Sequence, residues 1–463
     1  MNIIWITADT FRQDHMGAYG HKTIRTPTLD ALAAKGTRFE SHYAGGFPTM
    51  PTRADHATGR WTMSYMGWEP LPEDEVTLAQ ILSENGYHTA AAVDTPFYIR
   101  GGMNYDRGFQ TFFFHPGQEG SPTRVQQVGN HESRDLRDRW RLESDHNAPQ
   151  TFINAMNWLE GHYKEDFFLY IDTWDPHEPW EAPPYYSELY WPDFDGEIIQ
   201  PIYGHWQDEP GFSAERVRKA NATYCGEITM VDTWIGYFLK RVENMGLMEN
   251  TAIVFTSDHG FYFGEHGGKF GKMTFDTRDG GGLYKFGDDD ARWAHSPLYE
   301  ELVRIPLLVY VPGVDPSVYS GKTSVVDVMP TVLDVAGVGV PDTVHGTSLL
   351  PRMRDGDAPG REFVVSTIPF ANPGEEVRSV DSIRRHLVNS QVTTITAGDW
   401  SLLYSMDEGM SELYNIANDP GQQDNIISDN LEVAKEVHQY LLKFMRETGV
   451  SDHLLKPRQE FRL

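Results

Sequence analysis

Short apolar runs alternate with longer amphipathic ones along most of this chain, and that alternation constrains its fold more than any other feature. Ile3 to Ala8 reads as a strand. Thr26-Pro27 then opens a helix through Leu29 and Leu32 that stops at Gly36. Leu78, Ile81 and Leu82 mark a helix face closed by Asn85-Gly86, and His88 to Val93 follows as a strand. Phe152, Ala155, Met156 and Leu159 repeat at helical spacing before the strand Phe167 to Ile171. A long helix through Ile228, Val231, Ile235, Phe238, Leu239 and Val242 precedes the strand Ala252 to Phe255, and Pro306 to Val311 is a further apolar strand. Such a pattern predicts an α/β fold, with a large, mostly parallel sheet sandwiched by helices.

Beyond about residue 370 the texture changes. Val392 to Ile395 and Trp400 to Tyr404 read as antiparallel strands joined at Ala397-Gly398-Asp399, and a last helix runs from about Leu431 to Thr448. The expected division is a catalytic α/β domain over 1–370 and a small C-terminal α+β subdomain over 371–463. Residues 273–294, rich in Gly and Asp, read as a surface insertion and candidate lid near the site.

The net charge of -28, from 67 acidic against 39 basic residues, repels nucleic acid and anionic membranes. Neither is an expected partner, and no segment is long and apolar enough to span a bilayer. The charge serves solubility, or it suits a substrate or leaving group that carries positive charge. The apolar run from Ile3 is too short for a signal peptide and follows no cationic region, so the expected location is cytoplasmic. The single cysteine, Cys225, excludes an internal disulfide and any multi-cysteine metal site.

Open parallel sheets bind ligands at the carboxyl ends of their strands. Two strands here end in acidic residues, as Ala8-Asp9-Thr10 and as Ser257-Asp258-His259-Gly260. An Asp after a strand is more often a helix cap or turn residue. Two such ends, one followed at once by His, suit a divalent cation, with Mn²⁺, Zn²⁺ and Mg²⁺ all chemically reasonable.

The stretch Thr49-Met50-Pro51-Thr52-Arg53, with Thr58-Gly59-Arg60 after it, resembles the sulfatase signature, in which a Cys or Ser precedes x-Pro-Ser-Arg. The resemblance to the sulfatase family of the alkaline phosphatase superfamily extends over nearly the whole chain. Asp9 to Gly20 looks like its opening metal loop, and Asp175-Pro176-His177-Glu178-Pro179 like its Pro-His-x-Pro loop. Leu298 to Glu301 with Arg304-Ile305-Pro306 resembles the stretch after its substrate-binding lysine, and Glu412 to Asn415 with Asp419-Pro420 its C-terminal signature.

The resemblance implies a metal held by Asp9, Thr10, Thr49, Asp258 and His259, with Thr49 as nucleophile. It implies charge stabilisation by Arg53 and Lys272, and help to the leaving group from His177. Four departures refine this. Thr49 stands where Cys or Ser is matured to formylglycine, and Cys225 lies in the long helix, far from the motif. Thr10 replaces a usual Asp, and His259 a frequent Asn, which shifts the metal preference away from Ca²⁺ and toward Mn²⁺ or Zn²⁺, with Ca²⁺ and Mg²⁺ as the alternatives. His295 stands at the family's lysine position if Leu298 to Glu301 sets the alignment, with Lys272 or Lys269 as the alternative cation. A second metal would need His177, His295 and a carboxylate such as Asp175 to converge. Phe47, Trp180 and Trp293 are candidates to line a pocket for an apolar or cationic group.

An unmodified threonine resembles the phosphodiesterase branch of the superfamily. The expected activity is therefore hydrolysis of phosphate diesters or phosphonate monoesters. The alternatives are a sulfate-ester or sulfamate hydrolase working without formylglycine, and a silent relative that only binds anions. The expected partners are small phosphate, phosphonate or sulfate esters, and by analogy a second copy of the chain in a homo-oligomer.

Overall fold

The computed structural model describes residues 1–117, 140–276, 292–293, 295–356, 358–380, 383–386 and 391–463. Most of the Gly- and Asp-rich insertion, 277–291 with 294, lies outside the described residues, and with it the lid reading.

Eight strands form the main sheet: β1 (Asn2–Ala8), β2 (Thr37–Phe39), β3 (His88–Val93), β4 (Thr111–Phe114), β5 (Phe167–Thr173), β6 (Thr251–Thr256), β7 (Leu307–Tyr310) and β8 (Ser317–Tyr319). Their order is β8-β2-β7-β6-β1-β5-β3-β4. The five strands from β6 to β4 run parallel, whereas β7 is antiparallel to both β6 and β2. The sheet is thus mostly parallel, as its strand and helix alternation predicts.

Strand β1 sits near the middle and is buried along its whole length. Its alternate side chains feed two different cores. Ile4, Ile6 and Ala8 pack with Phe152 and Leu159 of helix α4 (Asn147–His162) and with Ile228, Val231 and Ile235 of helix α5 (Ala214–Asn244). Ile3 and Trp5 face the other way, onto Leu78 and Leu82 of helix α3 (Leu78–Glu84) and Val332 and Leu333 of helix α6 (Val328–Ala336). Two covered faces explain why β1 reads as an unbroken apolar run. Among the described residues no helix is long and apolar enough to cross a membrane.

The C-terminal sheet has four antiparallel strands, β9 (Phe363–Thr367), β10 (Thr393–Ala397), β11 (Trp400–Tyr404) and β12 (Glu412–Asn415). Gly398, at φ +53°, makes the tight connection between β10 and β11. Helix α7 (Leu431–Glu447) lays Val437, Leu441 and Phe444 over Ile395, Leu402 and Tyr404. Strand β9 begins at Phe363, ahead of residue 371, because its alternating Val364 and Val365 pack on opposite faces of this sheet. It is also the link to the main body. The backbone N–H of Phe47 donates to the Thr367 carbonyl at 2.9 Å, and that of Thr367 to the Gly45 carbonyl at 3.0 Å. The small sheet thereby holds the loop that delivers Thr49.

Several imidazoles are buried within this frame. His42 is fully buried, with Nδ1 2.9 Å from Thr323 Oγ1 and Nε2 without a partner, and burial holds its pKa down to about 3. An unfolded histidine takes up its proton near pH 6.5, so below that pH protonation favours the unfolded chain. Buried acids oppose the trend, since burial raises Asp55 and Glu300 to about 7. The diagnostic quantity is therefore a difference between two proteins. His42→Asn should gain about 2 kcal/mol relative to wild type between pH 7.5 and pH 5. Urea unfolding curves of both proteins at both pH values measure it, and a pH-independent difference would contradict a neutral buried His42.

Candidate active site

Strands β5 and β6 flank β1, with Thr7 paired to Asp172 on one side and to Thr256 on the other. The carboxyl ends of three parallel strands therefore bring Asp9, Asp172 and Asp258 together, although they lie far apart in the chain. All three are buried, as are Thr49 and Arg53. The loop after β1 is pinned from several sides. Thr10, at φ +60°, donates its backbone N–H to Asp258 Oδ1 at 2.9 Å, and its carbonyl accepts from Tyr224 Oη on α5 at 2.7 Å. A β-branched residue in the left-handed region is strained, and such strain persists only where its surroundings hold it. The Thr10 hydroxyl donates to Asp9 Oδ1 at 2.6 Å.

Helix α2 (Thr49–Thr58) begins at the candidate nucleophile. Thr52 anchors its first turn by donating to the Gly46 carbonyl, and Asp55 accepts the Gly46 N–H at 2.8 Å and the Thr62 N–H at 2.7 Å. Arg53, one turn after Thr49, reaches back beneath it. Its Nε and Nη2 donate to the two oxygens of Asp172 at 2.8 and 2.7 Å. Its Nη1 donates to Asp9 Oδ2 at 2.8 Å and to Asp258 Oδ2 at 2.7 Å, with the Thr49 carbonyl at 3.4 Å. The guanidinium is thus the cation that ties three carboxylates together behind the nucleophile.

His259 accepts no proton easily. Burial first, and then the nearby Lys272 ammonium, lower its pKa to about 4, so its ring is neutral near pH 7. Its Nδ1 lies 2.9 Å from the Gly260 carbonyl, which places the proton on Nδ1 and leaves the Nε2 lone pair free. Nε2 lies 3.3 Å from Thr49 Oγ1 and 3.6 Å from Asp258 Oδ2. Phe47 packs its ring 5.1 Å from the imidazole.

Donor atoms of Asp9, Asp258 and His259 all fall within 4.8 Å of one another. Three carboxylates face one guanidinium, and burial, then repulsion from Asp258, raise the pKa of Asp9. Uncompensated buried negative charge with one neutral imidazole lone pair fits a divalent cation.

Lys272 is buried, with Nζ 2.6 Å from His177 Nε2 and 3.4 Å from Glu178 Oε1. His177 Nδ1 lies 2.6 Å from the Glu178 carbonyl, and burial, then Lys272, keep its imidazole neutral. Lys272 and His177 thus form one hydrogen-bonded unit, and its ammonium acts electrostatically on His259. Lys269 and His295 have Glu412 among their charged neighbours. Among the described residues His177, His295 and Asp175 do not converge as a metal-holding group. Trp180 packs in the main core against Phe261 and Tyr224, while the Trp293 side chain lies outside the described residues.

Asp172 and Glu178 escaped the reading of the sequence. Asp172 closes an apolar strand as Asp9 and Asp258 do, and that was the available signal. Its adjacency to Arg53 depends on the order of strands in the sheet, which no local pattern reports.

The Sulfatase family model matches residues 1–338, and the model described as "N-sulphoglucosamine sulphohydrolase, C-terminal" matches 290–448. An arylsulfatase of Clostridium perfringens is 26% identical, over 97% of this chain and 96% of its own length. The multifunctional alkaline phosphatase superfamily protein PehA of Trinickia caryophylli is 27% identical over 77% of each. The phosphonate monoester hydrolase of Agrobacterium radiobacter superposes with a TM-score of 0.71 at 19% identity, covering 96% of both chains. A structure in complex with its substrate D-glucosamine-2-N,6-O-disulfate superposes equally well, with a TM-score of 0.71 at 20% identity over 99% of both. The chain belongs to the sulfatase family, within the alkaline phosphatase superfamily.

Proposed function

We propose that this protein is a metal-dependent hydrolase of phosphate diesters or phosphonate monoesters in which the unmodified Thr49 hydroxyl is the nucleophile. The observation that carries this reading is the placement of Thr49. It opens α2 with Oγ1 3.3 Å from His259 Nε2, above a guanidinium joined to Asp9 and Asp258. Oxidation of a secondary alcohol yields a ketone, so Thr49 has no route to the aldehyde hydrate of a formylglycine. It has the hydroxyl that direct attack requires.

A divalent cation held by Asp9, Asp258 and His259 supplies Lewis-acid polarisation and acidifies an adjacent hydroxyl when bound. The rest falls to the chain. Thr49 Oγ1 gives its proton to solvent water and forms a bond to phosphorus while the bond to the leaving oxygen breaks. Arg53 positions the site by holding Asp9, Asp172 and Asp258 in fixed orientations. Lys272 faces the non-bridging oxygens. Because its ammonium occupies the Nε2 lone pair of His177 while Nδ1 is turned to the Glu178 carbonyl, Lys272 rather than His177 protonates the leaving oxygen. Water then cleaves the phosphoryl-threonine and restores the hydroxyl. A singly charged diester matches one cation and one lysine better than a doubly charged monoester does.

The arylsulfatase relative, aligned over 97% of this chain, favours a second reading as a sulfate-ester hydrolase. One rate panel separates the two. Metal-reconstituted protein is given p-nitrophenyl phosphate, its bis-ester, a phenylphosphonate ester and the sulfate. Turnover of the bis-ester or phosphonate should exceed that of the sulfate by about tenfold or more. Dominant sulfate turnover would transfer the assignment to the second reading, and silence with every metal would favour an anion binder.

A further inference from the structure

At the opposite edge of the sheet from Thr49, three donors from separate places in the chain meet at one point. His88 opens β3, His162 ends α4, and Glu165 lies in the turn before β5. Donor atoms of these side chains lie within 4.8 Å of one another. Glu165 Oε2 is 2.7 Å from His162 Nδ1 and 3.3 Å from His88 Nδ1. We propose that His88, His162 and Glu165 form a second, non-catalytic site for a divalent transition metal of the zinc class.

The surroundings hold the donors in place. Trp158 stacks on the His162 ring at 4.5 Å with a 16° interplanar angle. The Glu165 N–H donates to the His162 carbonyl at 3.0 Å, and the His88 N–H to the Asp166 carbonyl at 2.8 Å. Both imidazoles turn Nδ1 toward the same carboxylate oxygen. Zinc bonds imidazole nitrogen and carboxylate oxygen at about 2.0–2.2 Å, which sets neighbouring donors roughly 3.3 Å apart. The His88 to Glu165 spacing already meets that value, and the His162 to Glu165 pair needs to open by only about 0.6 Å. The entering cation replaces the proton shared by His162 and Glu165. All three side chains are between about one third and one half exposed, so water can complete the coordination shell. Two imidazoles and one carboxylate select Zn²⁺, Ni²⁺ or Cu²⁺ over Ca²⁺ and Mg²⁺.

The position assigns a role. His88 and Phe167 are paired first residues of the neighbouring parallel strands β3 and β5, and β5 carries Asp172, the partner of Arg53, near its other end. At about 3.3 Å per residue, the two sites lie on the order of 20 Å apart. A metal here would clip the end of α4 and the following turn to β3, and would raise stability without touching the chemistry.

The test uses the full chain, stripped with a chelator and equilibrated with Zn²⁺, with bound zinc counted after equilibrium dialysis. His88→Ala and His162→Ala should each bind about one ion per chain fewer than wild type. They should also lose most of the zinc-dependent rise in Tm contributed by this site. Near-UV circular dichroism confirms that each variant is folded, and any ester turnover should stay within about twofold of wild type. Unchanged zinc stoichiometry and an unchanged Tm rise in both variants would overturn the proposal. The readout is a difference between proteins, so it holds whether or not Thr49 proves to be a nucleophile.

Discussion

Thr49→Ala is expected to lower kcat/KM on the preferred ester by a factor on the order of 10⁴ or more. The size follows from what remains after the change. Lys272, together with a cation held by Asp9, Asp258 and His259, would still bind and polarise an anion, yet no hydroxyl is left at this position to bond to phosphorus. The fold should be unaffected, because the Thr49 hydroxyl touches His259 Nε2 at 3.3 Å and the neighbouring Thr52 and Asp55 anchor the helix start. Thr49→Ser restores a hydroxyl at the same place and should recover activity to within about tenfold. Steady-state rates on the ester panel, with product affinity measured in parallel, distinguish the cases. Wild-type rates in the alanine protein would move the nucleophile to another group. Silence in the serine protein despite a native fold would show that the threonine methyl group itself is needed.

Arg53→Ala should have the largest effect on stability of any single change near the site. With Arg53 gone, Asp9, Asp172 and Asp258 remain buried with their shared cation removed. Breaking a buried ion network by deleting one partner costs about 3–5 kcal/mol, since the charges left behind have neither water nor a counterion. Arg53→Lys should recover little of this. A single ammonium cannot make the bidentate contact with Asp172 and also reach Asp9 and Asp258. Added Mn²⁺ or Zn²⁺ should restore part of the loss, because a cation that binds only the folded site shifts the equilibrium toward it. Denaturant midpoints with and without metal give both quantities. A metal-free alanine protein as stable as wild type would mean that the carboxylates are already neutralised by some other means.

Both expectations rest on residues that differ in how visible they were. Thr49 and Arg53 stand four positions apart, on one face of a helix, so their partnership is local and the sequence carries it openly. Asp9 and Asp258 were legible because each ends a strongly apolar strand, and strand ends are where such sheets bind ligands. His259 came with Asp258 as its neighbour. The burial of β1 on both faces was likewise written in its unbroken run of apolar residues.

Contacts between distant segments were different. The third carboxylate, Asp172, touches Arg53 because β5 lies beside β1, and strand order is set by packing over the whole sheet. The choice among Lys272, Lys269 and His295 also depended on three dimensions. All three precede the Leu298 to Glu301 motif and carry or accept a proton, but Lys272 is the one whose Nζ reaches His177. The C-terminal sheet read as a separate unit, yet its strand β9 bonds the loop that presents Thr49. Periodicity and short-range spacing are local properties of a chain, so they carried the fold class and marked Asp9, Thr49, Arg53, Asp258 and His259 as candidates. The tertiary structure alone decided which distant charges share the site, because that follows from how the strands are ordered and how closely the packed layers bring them together.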